Sequence, residues 1–254
     1  MEEQIYKRYD AGQVTETMLQ EAAVLFNENY GVWGEQAASK FPKPGSRVRL
    51  GKDRLRSQYL PDNATCVYVR VTVDGQLAGN AFACHWTVKD KTVCWVTQLV
   101  VDRNYRERGL AKGLLNQLKQ NGVDIYGLMS SHPAACLAAA KAFGGKTIDS
   151  IRTLQLGPIG KYAEEIMKAS PISYVKDAKL RGNVFDPDDT SGLVSSVDSG
   201  FFVDHIEPLE ALAWVREEID WPLGDLFDGH EFLLILEARR RSQSRSTSRP
   251  KFGS

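Results

Sequence analysis

The chain has 254 residues, 43% hydrophobic and 25% charged, an ordinary globular composition for one large or two small domains with a sizeable core. Lysine plus arginine and aspartate plus glutamate each number 32, so no global field favours nucleic acid or an anionic membrane. The four cysteines, Cys66, Cys84, Cys94 and Cys136, stand singly in apolar runs without metal or C-x-x-C spacing, which argues for buried free thiols over a disulfide framework.

Residues 1–10 are charged and lack the apolar centre of a signal peptide. No apolar run reaches the ~20 residues of a membrane-spanning helix. The expectation is a soluble protein of the cytoplasm or nucleus, without membrane, nucleic-acid or metal partners, as a monomer or homodimer.

Gln4–Asp10 reads as a first strand. Thr17-Met-Leu-Gln20 fits a capping box, followed by Leu19, Ala22, Ala23, Phe26 and Tyr30 at helical spacing. Gly31 and Gly34 surround Trp33, so Tyr30 and Trp33 either line a substrate pocket or cap the core. A basic segment with Arg47, Arg49, Lys52, Arg54 and Arg56 among Val48, Leu50, Leu55 and Leu60 predicts a second amphipathic helix with a solvated face. Residues 66–73 (CVYVRVTV), the turn Asp74-Gly75, residues 76–88 and residues 93–101 form a three-strand meander. A helix over residues 109–119 ends at Asn121-Gly122, and residues 123–129 make a strand parallel to the third of the meander through a right-handed crossover. Ser130-Ser131-His132-Pro133 opens a small-residue helix over 134–143, stopped by Gly144-Gly145.

The pattern is weaker beyond that stop. Residues 162–170 read as helical and 171–200 as an irregular polar stretch. Residues 201–205 suggest a short strand, 208–219 a helix, and 232–236 (FLLIL) a last buried strand. The predicted organisation is a core over 1–145, an irregular insertion over 146–200 and a helix and strand over 201–238 that complete the core. The Arg/Ser-rich tail, 239–254, is expected to be disordered. The fold class is α/β (α+β), with a mixed, mostly antiparallel sheet flanked by helices.

The stretch 94–118 (CWVTQLVVDRNYRERGLAKGLLNQL) organises the chain. A strand feeds a basic turn that opens a helix, and a helix N-terminus offers unpaired N–H groups and a favourable dipole to an anion. Arg106-Glu107-Arg108-Gly109-Leu110-Ala111 fits R/Q-x-x-G-x-G/A, and Gly109 permits close backbone approach. Neither the G-x-G-x-x-G of a dinucleotide fold nor the G-K-[ST] of a P-loop is present. In its motif and element order the chain resembles the GCN5-related N-acetyltransferase (GNAT) superfamily. The resemblance covers residues 4–145 well and the final helix and strand loosely. One departure is Arg103, where many members have proline.

The resemblance implies the acyl-CoA N-acyltransferase fold and acetyl-CoA as co-substrate. It implies pyrophosphate on the backbone of residues 108–112, Arg106, Arg108 and Lys112 as supplementary cations, and Glu107, Gly109, Leu110 and Ala111 completing the loop. Leu99, Val100 and Val101 would pair with pantetheine amides, with one N–H there as oxyanion donor. The helix tyrosine that serves many members as acid corresponds here to Ala140. His132 stands at the strand end as acid or base, or as a helix cap. Cys136 is a thiol donor or a core residue, and Thr97 and Gln98 can orient a water. Candidate acceptor contacts are Tyr30, Trp33, Trp86, Thr97, His132 and the late group Trp214, Glu217, Glu218 and Trp221. The expected activity is direct acetyl transfer to a small-molecule amine in a ternary complex. The alternatives are a catalytically silent acetyl-CoA sensor and a protein N-acetyltransferase that uses the basic tail.

Overall fold

The computed structural model describes residues 2–39, 43–144, 149–152 and 154–238. Strand β1 (Gln4–Asp10) leads into helix α1 (Glu16–Asn29), which starts at Thr15 rather than at Thr17, because the Thr15 hydroxyl accepts the Met18 N–H at 3.2 Å. Helix α2 is confined to Lys52–Tyr59. The expected longer helix over the basic segment does not form, since Val48 and Leu50 run extended along the end of α1. Their N–H groups are held by Gly31 O at 3.0 Å and Asn27 Oδ1 at 2.7 Å.

The meander follows as expected: β2 (Thr65–Val73), β3 (Gln76–Val88) and β4 (Lys91–Val101), each pair antiparallel. Asp74 and Gly75 both have positive φ, 48° and 81°, which matches the right-handed twist of a tight hairpin. Helix α3 (Leu110–Gln117) crosses the sheet to β5 (Ile125–Ser130), which lies parallel to β4. Helix α4 (Pro133–Ala139) ends in a wider π turn over Ala140–Gly144.

The segment expected to be an irregular insertion holds regular structure. It contains α5 (Asp149–Arg152), α6 (Gly157–Lys168), α7 (Ser173–Asp177), β6 (Lys179–Arg181) and β7 (Ser196–Asp198). Helix α6 buries Ile159, Ala163, Ile166 and Met167, an apolar stripe that packs near β8. Helix α8 (Ile206–Glu218) and strand β8 (His230–Glu237) finish the described chain. The strand expected at 201–205 reduces to one bridge, Trp33 with Val203. The predicted tail lies outside the described residues.

The eight strands form one mixed sheet in the order β1-β2-β3-β4-β5-β8-β7-β6. Two features of β4 position the site. The β3–β4 register shifts so that Thr97 has no partner in β3, a bulge between the pairs Phe82–Gln98 and Ala83–Val96. Pairing with β5 covers only Val93–Ile125 through Val96–Leu128. Beyond the bulge β4 and β5 part, and residues 97–101 keep one edge free of strand pairing. Directly before this point the fully buried Trp95 lies over Gly127, where a Cβ would come within 2.4 Å of the ring. No helix among the described residues is long and apolar enough to cross a membrane.

Candidate active site

The turn after β4 is tied to the end of α1. The buried Asn29 side chain accepts the Arg103 N–H at 3.0 Å, and the Asn29 carbonyl accepts from Arg106 Nη2 at 2.9 Å. Asp102 Oδ1 receives the Asn104 N–H at 2.8 Å and folds the start of the turn. Glu107 (φ 64°) and Gly109 (φ 78°) are both left-handed and flank Arg108, a backbone alternation that gathers successive N–H groups into an anion-binding concavity. Gly109 precedes α3 without a side-chain cap, so the first N–H groups of that helix remain available. A Cβ built on Gly109 meets nothing within 4 Å, which leaves room for a ligand.

The side chains expected to add charge here divide. Arg106 is engaged by Asn29, by Val101 O at 3.4 Å and by the Glu207 carboxylate. Arg108 is paired with Glu2 at 2.8 Å and bonded to Asn104 O at 3.0 Å. Lys112, in the first turn of α3, has no ion pair among the described residues.

Strand alternation fixes the direction of the β4 backbone groups. The Asp102 N–H reaches Ala78 O in β3, so Val100 and Gln98 face β3 while Leu99 and Val101 face the side β5 has left. Val101 O is taken by Arg106 and Thr97 O by the Tyr174 hydroxyl at 2.8 Å. The Leu99 and Val101 N–H groups remain on the open edge.

His132 caps α4: its Nδ1 accepts the Ala134 N–H at 3.2 Å, and Nε2 lies 3.6 Å from Glu207. Both ring nitrogens are engaged. Burial lowers its pKa, the Glu207 charge opposes that shift and Arg106 reinforces it, which favours a neutral ring. Glu207, in the first turn of α8, thereby links the turn after β4 to the start of α4. Cys136 is fully buried, and burial pushes its thiol far above the ordinary range, so it stays protonated inside α4. Ala140 is also fully buried, and no phenol occupies that helix position. The Thr97 hydroxyl is buried without a hydrogen-bond partner among the described residues, and the buried Gln98 amide meets the Tyr59 phenol. Gln98, only 5% exposed, rests close to Tyr59.

Of the proposed acceptor contacts, Tyr30 stacks on Phe26 at 4.3 Å and approaches Phe201 at 6.0 Å, while Trp33 meets Phe201 edge-on at 5.3 Å. Trp86 packs on Trp95 at 5.9 Å, opposite Val93 and away from the parted end of β4. Trp214 is 64% exposed on the solvent side of α8, beside the exposed Glu217 and Glu218. Trp221 is buried against Phe232.

Two residues near this region, Tyr174 and Glu207, carry no sequence signature, and a third, Glu231, carries a weak one. Tyr174 lies in a short helix after Ser170-Pro171, with no periodicity to mark it. Glu231 offers one faint signal, a carboxylate at the start of an otherwise apolar strand.

No curated protein matches the chain. Among solved structures, the glucosamine N-acetyltransferase region of a fungal multi-domain β-N-acetylglucosaminidase is 15% identical, with a TM-score of 0.38, over 50% of this chain. The chain spans only 14% of that protein. The ribosomal-protein-S18-alanine N-acetyltransferase of Escherichia coli is 19% identical, covering 54% of this chain and 76% of its own, with a TM-score of 0.35. A GCN5-related N-acetyltransferase from Kribbella flavida is 17% identical over 52% of this chain and 32% of its own, with a TM-score of 0.34. Residues 33–143, which include β2 through α4 and the whole turn after β4, match the model of the acetyltransferase (GNAT) family.

Proposed function

We propose that the protein is an acetyl-CoA-dependent N-acetyltransferase that acts on a small amine by direct attack in a ternary complex. The observation that carries this reading is continuity. The left-handed turn at Glu107 and Gly109 opens α3, and it joins a β4 edge whose Leu99 and Val101 N–H groups no strand pairs. The N–H groups of residues 108–112 hold a diphosphate, and Lys112 is the side chain left to add a cation. Leu99 and Val101 pair with the amides of an extended arm. The Leu99 N–H, nearest the bulge, donates to the carbonyl oxygen as it gains charge. The amine lone pair attacks the thioester carbon, the C–S bond breaks, and the thiolate takes a proton. With His132 committed to capping, water held by Thr97 and Gln98 carries protons, and positioning supplies most of the acceleration.

One observation favours a second reading, a protein that binds acetyl-CoA without turnover: Ala140 brings no phenol to the helix after β5. Free thiol release measured against a panel of amines and peptides, with acetyl-CoA titrated in parallel, separates the two. Thiol release that depends on a small amine is the expected result. Tight acetyl-CoA binding with no release on any acceptor would overturn turnover in favour of the sensor.

A further inference from the structure

Three partly exposed aromatic rings join the two sides of the gap that opens between β4 and β5: Tyr30, Trp33 and Phe201. Tyr30 follows Asn29, which holds the turn after β4 through the Arg103 N–H and the Arg106 guanidinium. Phe201 belongs to the other side. It follows Ser199 and Gly200, whose N–H groups both reach Gly229 O at 3.1 Å just before β8. Strand β8 in turn pairs through Phe232 with Ser130, the last residue of β5. Tyr30 and Phe201 lie 6.0 Å apart and Trp33 and Phe201 5.3 Å apart, so ring contacts bridge the gap.

Backbone bonds fix these rings. Residues 32–34 run between residues 45–47 and 202–204, with Val32 bridged to Arg47 and Trp33 to Val203. The Gly34 N–H reaches Phe202 O, the Asp204 N–H reaches Val32 O and the Trp33 N–H reaches Ser46 O, each at 2.9 Å. A surface held this way costs little further ordering when a ligand binds. The planes of Trp33 and Phe201 differ by 77° and those of Tyr30 and Phe201 by 51°, which makes a corner rather than a stack. A third planar ring laid on one wall of such a corner meets the other edge-on, and the aromatic quadrupole favours both arrangements. An aliphatic chain in the same place gains buried area alone.

We propose that Tyr30, Trp33 and Phe201 form an acceptor subsite that holds the aromatic ring of an arylalkylamine. The proposal rests on the acetyltransferase reading and names its substrate class. The three residues determine specificity, because they touch the acceptor away from the bond that forms.

Initial rates with 2-phenylethylamine and tryptamine, set against 1-aminobutane and 1,4-diaminobutane, test it in the full chain and its Phe201→Leu variant, which keeps apolar bulk and removes the ring. The unmodified protein favours the aryl amines by about tenfold in kcat/KM, and Phe201→Leu raises their KM by about fivefold with kcat within about twofold. The aliphatic values do not change, and acetyl-CoA affinity, titrated separately, is the same in both proteins. Aliphatic amines or the diamine used as well as aryl amines by the unmodified protein, or an unchanged aryl KM in the variant, would overturn the subsite. Binding measured without turnover keeps the two readings apart. 2-Phenylethylamine titrated against intrinsic tryptophan fluorescence gives a saturable change that Trp33→Phe abolishes. That result supports the subsite even where no acetyl group is transferred, and its absence overturns it.

Discussion

Gly109→Asp tests the proposed cofactor seat most directly, because two effects of the change can be worked out separately. The first is conformational. Gly109 has φ 78°, and an L-residue in that region costs about 1–2 kcal/mol. For a chain of this size that corresponds to a fall in Tm of about 2–8 °C. No atom lies within 4 Å of the added Cβ, so no packing clash is added to the strain. The second effect is electrostatic. A carboxylate about 5 Å from one diphosphate charge is repelled by about 3 kcal/mol at an effective dielectric of 20, which screening at physiological salt reduces to about 2 kcal/mol. Acetyl-CoA affinity should therefore fall by about 30-fold or more. Gly109→Asn separates the two effects, since asparagine tolerates the left-handed region and carries no charge. Calorimetric titration with acetyl-CoA at low and high salt is the assay. The Asp variant should bind much more weakly than the Asn variant, by a margin that shrinks as salt rises. Equal affinity of the two variants would refute an anion at the head of α3.

Three other changes follow from the same geometry. Glu207→Gln removes a negative charge beside Arg106; the group is half-exposed and worth about 0.2–1 kcal/mol, so acetyl-CoA should bind up to about fivefold tighter at low salt and unchanged at high salt. Gly127→Ala drives a methyl into the Trp95 ring at a cost of about 1–3 kcal/mol, only partly offset by the about 0.4–1 kcal/mol that alanine gains by restricting the unfolded chain. Thermal melts should show a net loss that Trp95→Phe partly relieves in the double variant, and an additive pair would refute the contact. His132→Asn keeps a capping side chain and should leave turnover within about twofold, whereas a large loss with a changed pH profile would make the imidazole a participant. Burial lowers the folded pKa of His132, so the unfolded chain binds protons more readily, and stability falls as pH drops below the ordinary value of 6.5. The Asn variant should lose part of that acid sensitivity in melts taken across pH 5 to 7.

The parts of the site that were legible in the sequence are those built from neighbouring residues. The turn Asp74-Gly75, the Arg106–Ala111 pattern and the apolar face of α3 are local, and local chemistry dictates their geometry. Arg106 shows where this stops. Its type suggests a phosphate contact, yet its guanidinium is held by Asn29, Val101 and Glu207, two of them far away in the chain. Glu107 is similar, because glutamate rarely adopts positive φ and nothing in its type announces the left-handed turn. The segment around α6 and α7 was read as irregular, since its helices are short and interrupted, and their apolar faces take shape only against β8.

The role of Tyr174 was illegible for a related reason: it lies in a short helix far along the chain from the Thr97 carbonyl that it binds, and only the fold brings the two together. Tyr174 joins the two halves of the site. Its hydroxyl occupies Thr97 O, the carbonyl at the bulge where β4 leaves β5. An extended ligand pairing along β4 from Val101 inward therefore finds its next backbone acceptor already taken. On the proposed reading the thioester stops beside Leu99, and the space past Thr97 belongs to the acceptor. Replacing Tyr174 with phenylalanine would free that carbonyl while leaving the ring that faces Tyr59. The cofactor affinity of Tyr174→Phe thus reports on the inner limit of the proposed channel.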